Sequence, residues 1–276
     1  MLKQSFLVFS LLLAGALEAA STAEFSSAIN VAGRQRMLTQ KMAKESLLIK
    51  LGIDRSANEA NLKKTMTLFD ESLKSLQKGN SGKTIPAPPN DKIGKQLDKV
   101  AGLWATYKKS LESSDIKGVA DINLNILKEM NKAVKQYEVA SIKAGIKGSG
   151  KVINIAGRQR MLTQKMAKEV FFVAAEMDAA KNRKNLKSTI KLFDSSLDAL
   201  KKGNKKMKVQ ATTDAGILAQ LDTVSKLWAE YKTHLDKILA TDAIDPAVLK
   251  DIAAINPKVL KEMHAAVGMF EKVSSQ

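Results

Sequence analysis

The chain has 276 residues, carries 45 Lys and Arg against 28 Asp and Glu for a formal charge of +17, and contains no cysteine. That length holds two domains of about 120 residues, each large enough to bury its own core, and the missing cysteine excludes a disulfide framework or a lipid-modified cysteine anchor. Five prolines, 5% aromatics and plentiful Ala, Leu, Lys and Met favour an all-α protein, and no alternating strand pattern is present.

Residues 1–23 read as a signal peptide. Lys3 precedes an apolar run over 6–17 that is too short to span a bilayer and is followed by small residues, so cleavage is expected after Ala19 or Ala23. An uncleaved N-terminal anchor is the alternative. No second hydrophobic segment of membrane length follows, so the mature chain is expected to be soluble and exported to a bacterial periplasm.

The rest reads as helices. The first is expected over 25–51, broken by Gly52 and the polar residues after it. The second covers 57–78, where Leu62, Met66, Phe69, Leu73 and Leu76 recur at three- and four-residue spacing. The segment 79–89, with two glycines and three prolines, cannot continue a helix. A third helix over 91–113 carries Leu97, Val100, Leu103 or Trp104, and Tyr107, and a fourth over 116–144 carries Ile122, Ile126, Met130, Val134 and Tyr137. Residues 145–151 are expected to link a first bundle at 24–144 to a second at 152–276. In the second, the third helix reaches about Ala240, an insertion over 243–254 lengthens the last connection, and Asn256-Pro257 reads as a cap and first-turn proline.

The two halves are copies. The stretch INVAGRQRMLTQKMAKE at 29–45 recurs at 153–169 with Ile155 in place of Val31, and the same offset of 124 pairs Leu68-Phe69-Asp70 with Leu192-Phe193-Asp194 and Trp104 with Trp228. The expected fold is two tandem up-down four-helix bundles forming an intrachain parallel pseudo-dimer. Four helices return each copy to the end where it began. A linker of about seven residues reaches at most about 23 Å, against about 45 Å for a thirty-residue helix, so the first helices of both copies should run the same way.

Laid on a helix, Ile29, Gly33, Arg36, Gln40, Ala43 and Leu47 share one narrow stripe, suited to a close seam with a second helix. If both copies' stripes meet, Arg36 and Arg160 face each other at equal height. A charge buried there is costly unless paired, and no acidic residue lies in the stripe. One reading is a small planar anion held by the two guanidinium forks. The other is that Arg36 snorkels to solvent or pairs with Asp or Glu of another helix.

The motif Ile-Asn-x-Ala-Gly-Arg-Gln-Arg-Met-Leu-Thr-Gln-Lys-Met-Ala resembles the signature of the PilJ-type domain, the N-terminal sensor domain of type IV pilus methyl-accepting transducers. That domain is related to the input domain of the NarX and NarQ nitrate/nitrite sensor kinases. The resemblance covers nearly all of both halves. It implies a periplasmic four-helix bundle that, in nitrate-sensing members, holds the anion between the first helices of two subunits. The arginines it implies are Arg36 and Arg160, with Gly33 and Gly157 lining the site. Gln40 and Gln164, next along the stripe, complete the candidate set. The implied partners are nitrate or nitrite and a membrane chemoreceptor or sensor kinase.

Other chemistry finds little support. The lysines are spread along every helix and aromatics are few, so no nucleic acid partner is expected. The segment 79–84, GNSGKT, is two residues short of a phosphate-binding loop and follows a helix rather than a strand. His234 and His264 have no carboxylate or cysteine nearby at metal spacing, so no metal is expected. Met37, Met42, Met161 and Met166 sit at core spacing. No nucleophile–base constellation appears, so neither an enzyme nor a cofactor is expected. Two readings remain: an exported small-anion-binding, sensor-like protein, and an interaction protein that docks a receptor or envelope partner without a ligand.

Overall fold

The computed structural model describes residues 20–146 and 149–274. These form α1 (Thr22–Lys50), α2 (Arg55–Lys78), α3 (Asp91–Glu112), α4 (Ile116–Lys143), α5 (Ser149–Ala174), α6 (Ala179–Lys202), α7 (Ala215–Ala240) and α8 (Pro246–Ser274). The segment expected to be a signal peptide lies almost wholly outside the described residues.

Local chemistry sets the helix ends. At α1 the Ser21 hydroxyl accepts from the Glu24 amide at 3.2 Å while the Glu24 carboxylate accepts from the Ser21 amide at 2.7 Å, a reciprocal capping box. Asn90, Asp115 and Asp214 accept first-turn amides at 3.2, 2.9 and 2.8 Å and start α3, α4 and α7. After α2 and α6 the chain turns at Gly79 and Gly203, at φ +77° and +79°. A Cβ at either would fall 2.8 Å from the backbone nitrogen of Ala87 or Ala211, so the turn demands glycine. Beyond each glycine a lone antiparallel bridge, Asn80 with Ile85 and Asn204 with Val209, closes a loop of the same shape in both copies.

Within each half the first helix packs on the second and fourth, and the third packs on the fourth. Phe69 lies 4.4 Å from Trp104 and Phe193 lies 4.2 Å from Trp228, centroid to centroid. The two indole N–H groups donate to Asp70 and Asp194 at 2.5 and 2.6 Å, which lets these large rings bury with their polar edge satisfied. Met37, Met42, Met161 and Met166 are all buried in the core. The halves meet through α1 and α5, which pack along each other at the centre of the molecule. Among the described residues no helix is long and apolar enough to cross a membrane.

Two boundaries differ from expectation. The linker expected at 145–151 is shorter, because α5 already starts at Ser149. Gly150 is a packing residue: a Cβ on it would sit 2.8 Å from the Ile29 Cδ1 and 3.2 Å from the Ser141 hydroxyl. Nor does Asn256-Pro257 open a helix, since Pro257 lies inside α8. Seven of the nine extra residues of the second copy lengthen helices and two lengthen the connection: α7 extends four residues further than α3, and α8 starts three earlier than α4. Within the added helical residues Ile238 and Val248 are buried, and that burial holds the extra turns in place.

Candidate functional site

The recurring motif has two kinds of polar residue. One kind fastens each copy internally. Gln35 and Gln159 donate to the carbonyls of Phe69 and Phe193 at 2.9 and 3.0 Å, tying α1 to α2 and α5 to α6. Lys41 pairs with buried Glu45 and reaches Thr65 at 2.8 Å, and Lys165 pairs with Glu169 and reaches Thr189 at 2.7 Å. The other kind crosses between α1 and α5.

Those crossing bonds fix the register. Arg36 Nη2 donates to the Asn154 carbonyl and Arg160 Nη2 to the Asn30 carbonyl, each at 3.2 Å, and Lys168 Nζ donates to Gln40 Oε1 at 2.9 Å. Along α5 from Arg160 to Lys168 the partner on α1 advances from Asn30 to Gln40, so the helices run parallel with equivalent residues nearly level. Gly33, Gly157, Ala32, Ala156, Ala43 and Ala167 allow the close approach.

Arg36 and Arg160 are 3% and 2% exposed. A Cβ on Gly33 would lie 3.4 Å from Arg36 Nη2 and 3.7 Å from Arg160 Nη2, and one on Gly157 would lie 3.3 and 3.7 Å from the same two atoms in reverse order. Both guanidinium groups therefore converge over both glycines. Neither reaches solvent. Among the described residues their hydrogen bonds go to neutral groups: Arg36 Nη1 to Asn131 Oδ1 at 3.0 Å, Arg160 Nη2 to Asn30 Oδ1 at 2.7 Å, and Arg160 Nη1 to His264 Nδ1 at 3.2 Å. Because arginine only donates, His264 accepts there as a neutral ring. Burial first, then Arg160 and Arg34, pull that imidazole down to about 4. Both arginine Nε atoms are buried with no hydrogen-bond partner among the described residues.

Carboxylates stand one residue further out. Asn154 Nδ2 donates to Glu138 at 2.7 Å, and Asn30 Nδ2 donates to Glu271. Burial lowers both guanidinium pKa values, Arg158 adding to the effect at Arg36, and Arg34 and Arg36 at Arg160; Glu138 and Glu271 offset it in part. An arginine stays protonated in a protein, so the part of the burial cost that Glu138 and Glu271 do not offset favours additional negative charge.

Gln40 and Gln164 sit a turn further along, both fully buried, and face a second cationic layer rather than the arginines. Lys168 Nζ donates to Gln40 Oε1 and, at 3.0 Å, to Asn123 Oδ1. Lys44 Nζ donates to Asn256 Oδ1 at 3.1 Å, and Gln164 Nε2 donates to the same oxygen at 2.8 Å. Asn123 and Asn256 also donate to the Thr39 and Thr163 carbonyls, each at 2.9 Å, and so join α4 and α8 to the seam. Burial pulls Lys44 down to about 8 and Lys168 to about 7. The lysines, Asn30 and Asn154 were not among the expected site residues. Their signal was their unchanged recurrence within the motif, whereas the glutamates recur only at the offset of 133 that also pairs Asn123 with Asn256, and Asn131 and His264 differ at that offset.

The family described as Type IV pili methyl-accepting chemotaxis transducer N-term, PilJ, matches residues 19–136 and again 143–255. A curated relative, methyl-accepting chemotaxis protein McpN of Pseudomonas aeruginosa, is 32% identical over 146 residues. That alignment covers 48% of this chain and 27% of the relative's length. With its two copies of the motif, each matched in turn, the chain belongs to the PilJ family of chemotaxis-transducer sensory domains, present here twice in tandem.

Proposed function

We propose that this chain is an exported small-anion-binding, sensor-like protein, with a nitrate- or nitrite-type anion held between α1 and α5 by Arg36 and Arg160. The observation that carries the reading is the pair of buried guanidinium groups whose hydrogen-bond partners among the described residues are all neutral. A monovalent planar anion suits two opposed forks, and Gly33 and Gly157, lacking side chains of their own, let both forks converge at one level of the seam. Gln40 and Gln164 bound the site on the side of the lysine layer. In this reading 24–144 and 152–276 are two sensory modules held as a pair, and the partner is a membrane chemoreceptor of the kind the relative's name describes. Residues 1–23 direct export to the periplasm. Cleavage after Ala19 preserves the capping box of Ser21 and Glu24 whereas cleavage after Ala23 removes Ser21, so mass spectrometry of the exported protein is expected to find Ala20 at the N-terminus.

Thermal unfolding of the mature protein tests the ligand. An anion at a hundred times its dissociation constant stabilises the fold by about 2.7 kcal/mol. Nitrate or nitrite is expected to raise the melting temperature where chloride and sulfate at equal ionic strength do not. Arg36→Ala and Arg160→Ala are expected to abolish that response. An unchanged melting temperature across the panel would instead favour a ligand-free docking protein. One observation supports that second reading: the internal partners of Gln35, Lys41 and Glu45 already account for much of the motif's recurrence.

A further inference from the structure

Lys168 has a feature that Lys44 does not share in full. A cavity of about 240 Å³ opens beside it, between α4 of the first copy and α5 with the start of α6 of the second. The lysine is 3% exposed, and two of its three ammonium hydrogens are taken by the neutral oxygens of Gln40 and Asn123. Its third donor has no hydrogen-bond partner among the described residues. The charges at the mouth cancel: Lys117 pairs with Asp121 at 2.7 Å and Lys181 with Asp178 at 3.6 Å. The net charge of the cavity is therefore that of Lys168, a single positive charge. Much of the remaining wall is apolar. The Phe172 ring lies 5.8 Å from Lys168 Nζ, and Met177, Leu124 and Ala120 line the same space.

We propose that this cavity is a second ligand site, distinct from the arginine seam, that takes a short-chain organic monocarboxylate. The carboxylate accepts the free Lys168 hydrogen and the alkyl tail lies against Phe172 and Met177. One negative charge matches one uncompensated cation, and the volume is below that of pockets for drug-sized ligands. Burial also holds the Lys168 ammonium down to about 7, Glu169 offsetting and Lys165 adding to the effect, so a bound carboxylate favours its charged form. The equivalent surface of the other half is built differently. Leu48 stands for Phe172, Ala57 for Lys181, Ala254 for Asp121 and Pro257 for Leu124. One equivalent per chain is expected.

Calorimetric titration of the full chain with acetate, propionate and butyrate, against sodium chloride and sodium nitrate at matched ionic strength, tests the site. Butyrate or propionate is expected to bind at one equivalent, at least about tenfold tighter than chloride. Lys168→Met is expected to remove that binding, Phe172→Leu to weaken it several-fold, and Lys44→Met and Arg36→Ala to leave it unchanged. Circular dichroism melts report whether each variant folds, and Phe172→Leu carries the test if Lys168→Met does not. No carboxylate binding to the parent chain overturns the proposal, as does equal binding of chloride, or equal loss in Lys168→Met and Lys44→Met. A nitrate response that survives Lys168→Met separates this site from the arginine pair.

Discussion

The motif residues show how far identity alone discloses environment. Arg36 and its neighbours Gly33 and Gln40 were legible as one helical stripe because spacing alone groups them. Lys44 was not, because its burial depends on Asn256, more than two hundred residues away, turning an amide oxygen toward it. That burial has a measurable consequence. Lys44 and Lys168 titrate lower in the fold than their ordinary value of 10.5, so between about pH 7 and pH 10 the unfolded chain binds more protons. Stability is expected to rise with pH across that window, by up to about 1.4 kcal/mol per pH unit for each lysine. Buried Tyr107 and Tyr231 have raised values, so the trend reverses above about pH 10. Urea unfolding at pH 7, 8, 9 and 10 checks this. Lys44→Met should flatten the rise and stabilise the protein at pH 7 by about 1 kcal/mol, since Asn256 Oδ1 keeps its bond from Gln164. At the glycines fold and ligand separate. Alanine at Gly33 or Gly157 gains about 1 kcal/mol of helix propensity but sets a methyl 3.3–3.4 Å from a guanidinium nitrogen. Melting is expected to change little while the nitrate response falls.

Helix positions were legible to within a few residues, since the apolar spacing, caps and turn glycines all agree. Where the reading failed, a local signal was outweighed by packing. Asn256-Pro257 has the look of a helix start, yet Asn256 serves as the counterpart of Asn123 and α8 continues through the proline. A proline there removes the amide that would bond the Ala253 carbonyl. Pro257→Ala is therefore expected to raise the unfolding free energy by about 1–3 kcal/mol, measured in denaturant. Gly150 taught the opposite lesson. It looked like a linker glycine, but its missing side chain lets the start of α5 press against Ile29 and Ser141. Gly150→Ala is expected to destabilise by about 1–3 kcal/mol through overpacking, rather than gain from propensity.

The whole molecule was legible from the repeat and from chain geometry: a short connector forces the first helices to run alike, and they pack in parallel at the centre. The contents of the seam were not, because its carboxylates, its second amide layer and His264 come from α4 and α8, where a nine-residue insertion shifts the offset between the copies from 124 to 133. Separating the halves should expose Ile29, Ala32, Ala43 and Leu47 on one side and their counterparts on the other. Residues 24–144 and 152–276, expressed apart and mixed, are expected to form a one-to-one complex by size-exclusion chromatography with light scattering. Joining them in one chain also changes what mutation can do. In a receptor made of two identical subunits, any substitution alters both walls of the shared groove at once. Here His264 stands against Arg160 while Asn131 stands against Arg36. One wall has changed without the other, a freedom that a symmetric assembly does not have.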